Sequence, residues 1–375
     1  MKILYISASR VPSRAANGIH VMKMCSALAA KGHEVHLMTA NVKSDTEKSI
    51  ADIFKFYGVK KNFNLYRLPW LEIPNFAFIY AIEILMIYLY LNLRSREDFI
   101  CYGRFPLGVY LISLFGAPTA LEMHAAISKT RKSELMIFKR LIRRKNFYRL
   151  TVISQALADD FINDFPELKQ KIVIAHDGAD EASLTETINH INNNLFNVGY
   201  VGHLYKGRGV QLMLDLVKDR DKLHLHLIGG TSEDISFWKN EISKQDIKNV
   251  TIYGFIHPSE TSLYRNSMDV LLAPYEKKVS VSGGAFDTSR WMSPLKIFEY
   301  MSARKPIICS DLPVIREVLT HEINALLAEP ENLEEWRKNL DRVISDKSLS
   351  ERISFRAHDD FLKKYTWERR AEIII

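Results

Sequence analysis

The sequence predicts an α/β protein made of two doubly wound, Rossmann-like domains facing across a cleft. Three observations point there. Residues 3–38 run strand, polar loop, helix, Gly stop and strand, a βαβ unit that builds a parallel sheet. The same order restarts at Asn197, after a polar, weakly periodic stretch from Glu181 to Asn194. A chain of 375 residues also exceeds what a single hydrophobic core usually holds. The expected division is a first domain over 1–180, a linker over 181–194, a second domain over 195–350 and a terminal helix over 351–375.

In the first half, Ile3 to Ile6 reads as a strand, Ser7 to Asn17 as a loop, Ile19 to Ala30 as a helix and Glu34 to Met38 as the next strand. Gly18 stands at the helix start, where a backbone can approach a ligand beyond the carboxyl end of the strand. No Gly-x-Gly-x-x-Gly surrounds it, so a dinucleotide dehydrogenase is poorly supported. The apolar run Phe76 to Leu93 carries Glu83 near its middle, which costs about 2.5–3.5 kcal/mol on insertion scales and favours a buried or interfacial helix. Ala120 to Met123 reads as a buried strand that delivers His124 to its carboxyl end, where open α/β sheets bind ligands; a satisfied core or surface histidine is the plain alternative. Residues Lys129 to Arg149 hold nine Lys or Arg against Glu134 alone. Leu135, Phe138, Leu141 and Ile142 share one helical face, with the pairs Lys139/Arg143 and Arg140/Arg144 on another. This basic amphipathic helix suits either an anionic membrane surface or a solvated face. Leu150 to Ser154 and Lys171 to Ala175 complete the strands of this half.

In the second half, strands are expected at Asn197–Val201, Leu223–Ile228, Val250–Tyr253, Asp269–Ala273 and Pro306–Cys309. The loop Gly202 to Gly209 joins a strand to a helix and carries Lys206 and Arg208 among glycines, a weak phosphate-binding signal without the Gly-Lys-Ser/Thr ending of a P-loop. Farther on, Ser293 suits an N-cap and Pro294 the first helical position, with Leu295, Phe298 and Met301 as a buried stripe. Bare N–H groups there, with Lys296 in the first turn, favour a diphosphate. Glu299, one turn on, is an acceptor suited to the hydroxyls of a ribose. Together they suggest a sugar nucleotide; an ordinary capped helix with a surface Lys and Glu is the alternative.

Composition is ordinary for a globular protein, and the net charge of +7 is modest for this length. Cys25, Cys101 and Cys309 are scattered, with neither disulfide nor metal spacing, and fit a reducing cytoplasm. The N-terminus lacks the pattern of a signal peptide. Asp219-Arg220-Asp221 has metal-holding spacing but precedes a strand, which puts it at the wrong end of the sheet. No Gly-x-Ser-x-Gly and no His-Glu-x-x-His occurs. Metal-independent chemistry without a cofactor is expected.

The segment Ser293 to Met301, followed by Lys305-Pro306-Ile307-Ile308 and Ser310-Asp311-Leu312-Pro313, resembles the donor-binding segment of GT-B glycosyltransferases, in the large retaining family 4-like group that includes bacterial mannosyl- and glucosyltransferases. Gly18, Glu122-Met123-His124, Gly202 to Gly207, Tyr253-Gly254-Phe255 and His321 to Leu327 stand in that family's order. The resemblance implies retaining hexosyl transfer from a nucleotide diphosphate sugar to a glycan or lipid-linked acceptor held by the first domain, in surface polysaccharide or lipopolysaccharide biosynthesis. It places Arg208 or Lys206, and Lys296 with the backbone at Leu295, on the diphosphate. It puts Glu299 on the ribose, Phe255 and Ile256 beside the base, and His124 beside the transferred sugar. The last helix, near Tyr365-Thr366-Trp367, is similar to the family's crossover onto the first domain. Two positions depart: Trp291 stands where a second Glu is usual, and His203 where an Arg is common. The expected partners are a nucleotide-sugar donor, the acceptor and an anionic membrane surface, with the protein cytoplasmic and peripheral at the inner face of the cell membrane. An epimerase or phosphorylase of the same fold is the nearer rival; a nucleic-acid-binding protein is the distant one, because the basic run lacks a recognition motif or interleaved aromatics.

Overall fold

The computed structural model describes residues 1–41, 50–69, 76–94, 99–127, 132–188, 191–192, 194–205, 207–279 and 287–375. Lys206 and residues 129–131 of the basic run lie outside them.

Alternating crossovers place the strands in two parallel sheets. The first contains β1 (Lys2–Arg10), β2 (Glu34–Ala40), β3 (Asn64–Leu68), β4 (Phe99–Gly103), β5 (Thr119–Met123), β6 (Phe147–Val152) and β7 (Ile172–Ile174), in the order β3-β2-β1-β4-β5-β6-β7. The second contains β8 (Phe196–Val201), β9 (Leu223–Ile228), β10 (Val250–Gly254), β11 (Val270–Ala273), β12 (Ile307–Ser310) and β13 (Leu326–Ala328), in the order β10-β9-β8-β11-β12-β13. Each order reverses once, between β1 and β4 and between β8 and β11, which makes those points the expected ligand crevices. In the second sheet one face packs Leu271, Phe298 and Met301, and the other packs Leu214, Trp336 and Leu340. Burial on both faces explains why these strands read as nearly continuous apolar runs.

The chain forms two compact units, Met1–His176 with Trp367–Ile375, and Asp177–Thr366. The stretch expected to be a linker belongs to the second unit. Ser302 Oγ accepts from the Ala182 amide at 2.9 Å and donates to Asp180 O at 2.7 Å, Asn266 Nδ2 donates to Glu186 O at 2.9 Å, and the Ile188 amide donates to Ser267 Oγ at 2.9 Å. Polar side chains of the second unit thus satisfy a backbone that has no ladder of its own. The expected terminal helix is two helices. Lys347–Lys364 stays with the second unit, while Trp367–Ile374 belongs to the first and packs on the helix Ala16–Ala30. The break falls where the Ala179 amide donates to Tyr365 O at 3.0 Å, a bond that draws residues 365–366 into extended pairing.

Helix Phe76–Arg94 is amphipathic in an unusual sense. Phe76, Tyr80, Ala81, Ile84 and Tyr88 are buried, and Tyr80 Oη donates to Ser7 O at 2.7 Å, yet Phe78, Ile79, Ile82, Met86, Tyr90 and Leu93 are exposed. Burial pushes the Glu83 carboxyl up. By length and composition alone it could cross a membrane. Cys25, Cys101 and Cys309 are free and buried.

Tyr300, fully buried on the helix Leu295–Ser302, accepts from the Val201 amide at 2.8 Å and so ties that helix to the end of β8. Tyr300→Phe keeps the shape and leaves that amide unsatisfied. Urea unfolding should show a loss of about 1–3 kcal/mol with an unchanged slope.

Candidate functional site

At the carboxyl edge of the second sheet the strand ends press together. A Cβ on Gly229, just after β9, would lie 2.1 Å from Gly202 O, just after β8, and Gly229 has φ +122°. Only glycine permits that approach. Gly202 is similarly confined: a Cβ there would stand 2.9 Å from Lys296 Nζ.

Two cations meet at this edge. Lys296 Nζ lies 3.4 Å from the centroid of the Tyr200 ring and 5.5 Å from that of Tyr275. Arg208 Cζ lies 5.6 Å from the same Tyr275 ring and 5.0 Å from Tyr205, whose hydroxyl accepts from Arg208 Nη2 at 2.9 Å. Aromatic faces attract cations, and here they hold two of them near each other. Burial first, and then the Arg208 guanidinium, push the Lys296 ammonium well below its ordinary range. Among the described residues Lys296 makes no ion pair. His203 is pushed down too, by burial and by Arg208 and Lys296, so this site favours its neutral form. The geometry collects positive charge at this edge, and Glu299 acts on Lys296 only as a minor electrostatic partner.

Lys296 opens the helix Leu295–Ser302, whose cap differs from expectation. Pro294, not Ser293, holds the N-cap position, and no side chain caps the first turn. The Ser293 hydroxyl is taken by the Asp177 amide at 2.8 Å, a demand from 116 residues away. The Ile297 amide turns back to Pro294 O at 2.9 Å, which leaves those of Leu295 and Lys296 as the uncapped donors of the first turn, where the helix dipole adds positive character. Glu299, one turn on, is paired. Arg265 Nη1 reaches Glu299 Oε2 at 3.3 Å and Thr261 Oγ1 at 2.8 Å, and Arg265 is buried while the Glu299 side chain is about 29% exposed. This fixes one oxygen and leaves Glu299 half-buried as an acceptor. Phe255 and Ile256 follow β10, beyond Gly254, and are half-buried, with Phe255 edge-on to His257 at 5.5 Å. Trp291, at the position lacking a carboxylate, is buried. Arg220 of the Asp-x-Asp triplet precedes β9 and pairs with Asp341. Another depression on this unit is lined by Arg304, Phe355, Arg352 and Arg356, but Arg352 donates to Glu322 O at 2.7 Å and Arg356 pairs with Asp359 and Asp360.

The first unit holds Gly18 and His124. Gly18 does allow a close approach, but of protein. A Cβ there would meet Tyr57 Oη at 2.8 Å and Ser13 Oγ at 2.9 Å, and Tyr57 Oη itself accepts from the Ser13 amide at 2.6 Å and donates to Ser13 O at 2.9 Å. The turn before the helix is closed by tyrosine on the side where a Cβ of residue 18 would stand. His124 emerges at the end of β5 with its side chain about 23% exposed, its Nε2 2.5 Å from Oε1 of the fully buried Glu122. Burial would push the Glu122 carboxyl up; Arg370, His20 and His124 outweigh it and hold it well below the usual range.

The basic helix runs Lys132–Ile142 among the described residues. Its apolar stripe is spent inside: Phe138, Leu141 and Ile142 are buried, and the helix packs on Pro106–Ser113. Lys139, Arg140 and Arg143 are exposed. Arg144 is not part of that surface, because its Nη2 donates to Ser113 O at 3.2 Å and satisfies the end of the neighbouring helix.

Sequence reasoning did not find Tyr200, Tyr275, Arg265 or Glu122. Tyr275 does follow Pro274 at the end of a strand, and Glu122 is an acid inside an apolar strand; both were available signals.

Residues 183–360 match the family model described as glycosyl transferases group 1, and residues 18–183 that of glycosyltransferase family 4. An uncharacterized glycosyltransferase of Methanocaldococcus jannaschii is 21% identical over 276 residues, 70% of this chain and 68% of the relative. The fold is similar to that of Anabaena HepE in complex with UDP, with a TM-score of 0.71 and 14% identity over 100% of this chain and 98% of the other. It is also similar to WaaG, a glycosyltransferase involved in lipopolysaccharide biosynthesis, with a TM-score of 0.65 and 14% identity over 99% of each chain.

A lysine lowered below its unfolded value near 10.5 binds fewer protons when folded, so stability rises with pH from that lowered value up to about 10.5. Its burial and its Arg208 neighbour therefore oppose folding below pH 10.5. Lys296→Met should therefore raise the stability of the empty protein, by about 0.5–2 kcal/mol in thermal unfolding, and flatten its increase between pH 8 and 10.

Proposed function

The chain belongs to the GT-B glycosyltransferases of the family 4 type, and on that basis we propose that it transfers a hexosyl group, with retention, from a nucleotide diphosphate sugar. The acceptor is a glycan or lipid-linked glycan taken up by the first unit, in surface polysaccharide or lipopolysaccharide biosynthesis. The observation that carries the donor reading is the pair Arg208 and Lys296 around Tyr275, beside an uncapped helix start. A diphosphate leaving group gains negative charge as the glycosidic bond breaks, and preorganised donors in a site of low dielectric stabilise that charge. Guanidinium, ammonium and helix N-terminus together supply what a metal ion otherwise would, so the reaction is assigned no cofactor. Leu295 offers its backbone to the diphosphate, Glu299 accepts from the ribose hydroxyls, and Phe255 and Ile256 border the base. His124 faces the transferred sugar. A bound anion would favour the ammonium form of Lys296 and oppose the lowering that burial and Arg208 cause. The UDP held by HepE and the lipopolysaccharide role of WaaG support the donor class and the pathway.

We place the protein in the cytoplasm, peripheral at the inner face of the cell membrane. Lys139, Arg140 and Arg143 supply the charge, and the exposed face of Phe76–Arg94, with Phe78, Ile82 and Met86, supplies apolar area. Both helices pack against Pro106–Ser113.

The donor reading requires two different failures. Lys296→Ala should weaken UDP and inorganic diphosphate by about 1.5–3 kcal/mol and leave uridine nearly unaffected. Glu299→Gln should weaken uridine and UDP and spare inorganic diphosphate. Calorimetric titration giving equal losses for all three ligands in both variants would mean general destabilisation and end the assignment.

The membrane reading is checked by flotation with vesicles containing phosphatidylserine. Reversing Lys139, Arg140 and Arg143 to Glu should cost about 1 kcal/mol per charge. Unchanged binding of this triple variant would remove the basic helix from the membrane surface.

A further inference from the structure

We infer that Glu122 is the positioning residue for His124, holding its imidazole as the Nε2–H tautomer, and that the last helix takes part by anchoring Glu122 through Arg370. The inference rests on the reading that His124 faces the transferred sugar, and extends it to residues that touch no substrate.

Glu122 is a carboxylate with no exposed side-chain surface, at the carboxyl end of β5. Its Oε1 lies 2.5 Å from His124 Nε2, 2.9 Å from His20 Nε2, 3.1 Å from Arg370 Nη2 and 3.9 Å from Arg104 Nε. Its Oε2 accepts from the Tyr102 hydroxyl and, at 3.4 Å, from Arg370 Nη1. Arg370 is itself buried and also donates to His176 O at 3.0 Å and to Ala175 O at 3.3 Å, which ties the helix Trp367–Ile374 to the end of β7. An ionised carboxylate only accepts, so the His124 nitrogen facing it carries the proton. Nδ1 is then the nitrogen through which the ring addresses a hydroxyl as an acceptor. Tyr5 and Cys25 sense the same carboxylate, but burial first and then Glu122 push both of them up, so neither competes as an acid.

The donor atoms of His20, Glu122 and His124 lie within 4.8 Å of one another, close enough to suit a metal ion. Arg370 argues for hydrogen bonding instead: a guanidinium 3.1 Å from the shared oxygen repels a divalent cation at that point.

The test is a long-range proton–nitrogen NMR spectrum of the full-length protein labelled with 15N-histidine, with His124 assigned by its loss in His124→Asn. Neutral His124 should be the Nε2–H tautomer, with a downfield, slowly exchanging Nε2 proton. In Glu122→Gln that proton should move upfield and exchange at least about tenfold faster, and Arg370→Lys should move it the same way by less. UDP affinity should change less than about twofold in both variants. An Nδ1–H tautomer in the wild type would overturn the inference, a result that needs no variant to fold. So would an unchanged Nε2 proton in folded Glu122→Gln, or stoichiometric binding of Zn2+ that removes it. The spectrum needs no substrate, so a fully active His124→Ala would end the sugar-facing reading while leaving the tautomer result standing.

Discussion

A parallel sheet requires a crossover after every strand, so its faces become covered by helices and its polar chemistry is confined to its edges. That constraint governs both units. Strands such as β1 and β11 are buried along almost their whole length, and the side chains that carry charge cluster where strands end: Lys296 and Arg208 near the ends of β8 and β11, His124 and Glu122 at the end of β5. The glycines at 202 and 229 belong to the same logic, since they let neighbouring strand ends and the Lys296 side chain occupy space that a Cβ would fill.

The two edges handle buried charge in opposite ways. In the first unit, Glu122 is answered within the protein by Arg370, Tyr102 and two imidazoles, so the arrangement is complete and serves to orient. In the second, Lys296 and Arg208 stand among tyrosine rings and repel one another, and the lowered affinity of Lys296 for its proton records the cost. A site that is complete by itself positions a neighbour. One that gathers two cations at a strand edge concentrates positive charge there.

Amphipathic pattern alone did not reveal which surface each helix offers. The apolar stripe of Lys132–Ile142 suits a membrane surface or a solvated helix alike, but the fold uses Phe138, Leu141 and Ile142 for packing and leaves outward the basic side chains with Met136. Phe76–Arg94 is apolar nearly all round, and because only one face packs on the helix Pro106–Ser113 and the end of β1, the other is left exposed. Arg144 shows the same effect for a single residue: identical in kind to Arg143, it turns to the carbonyl of Ser113, which Asn146 Nδ2 also meets at 2.9 Å.

The sequence by itself determined the two successive βαβ halves, most strand positions, the order of the motifs along the second half and the presence of Lys296, Arg208 and Glu299, because strand and helix periods and Gly stops are local properties. The bounds of the strand Leu223–Ile228 needed nothing more than its own residues. Only the tertiary structure decided what depends on distant partners. Ser293 loses its capping role to Asp177, 116 residues away. Gly18 turns out to serve Tyr57, and Glu122 meets Arg370 across 248 positions of chain. The boundary between units moved to His176 because Asn266 and Ser302 satisfy a polar stretch that looked free. A side chain's residue type sets which bonds it can make, but long-range packing sets which partner arrives, and no local period encodes that.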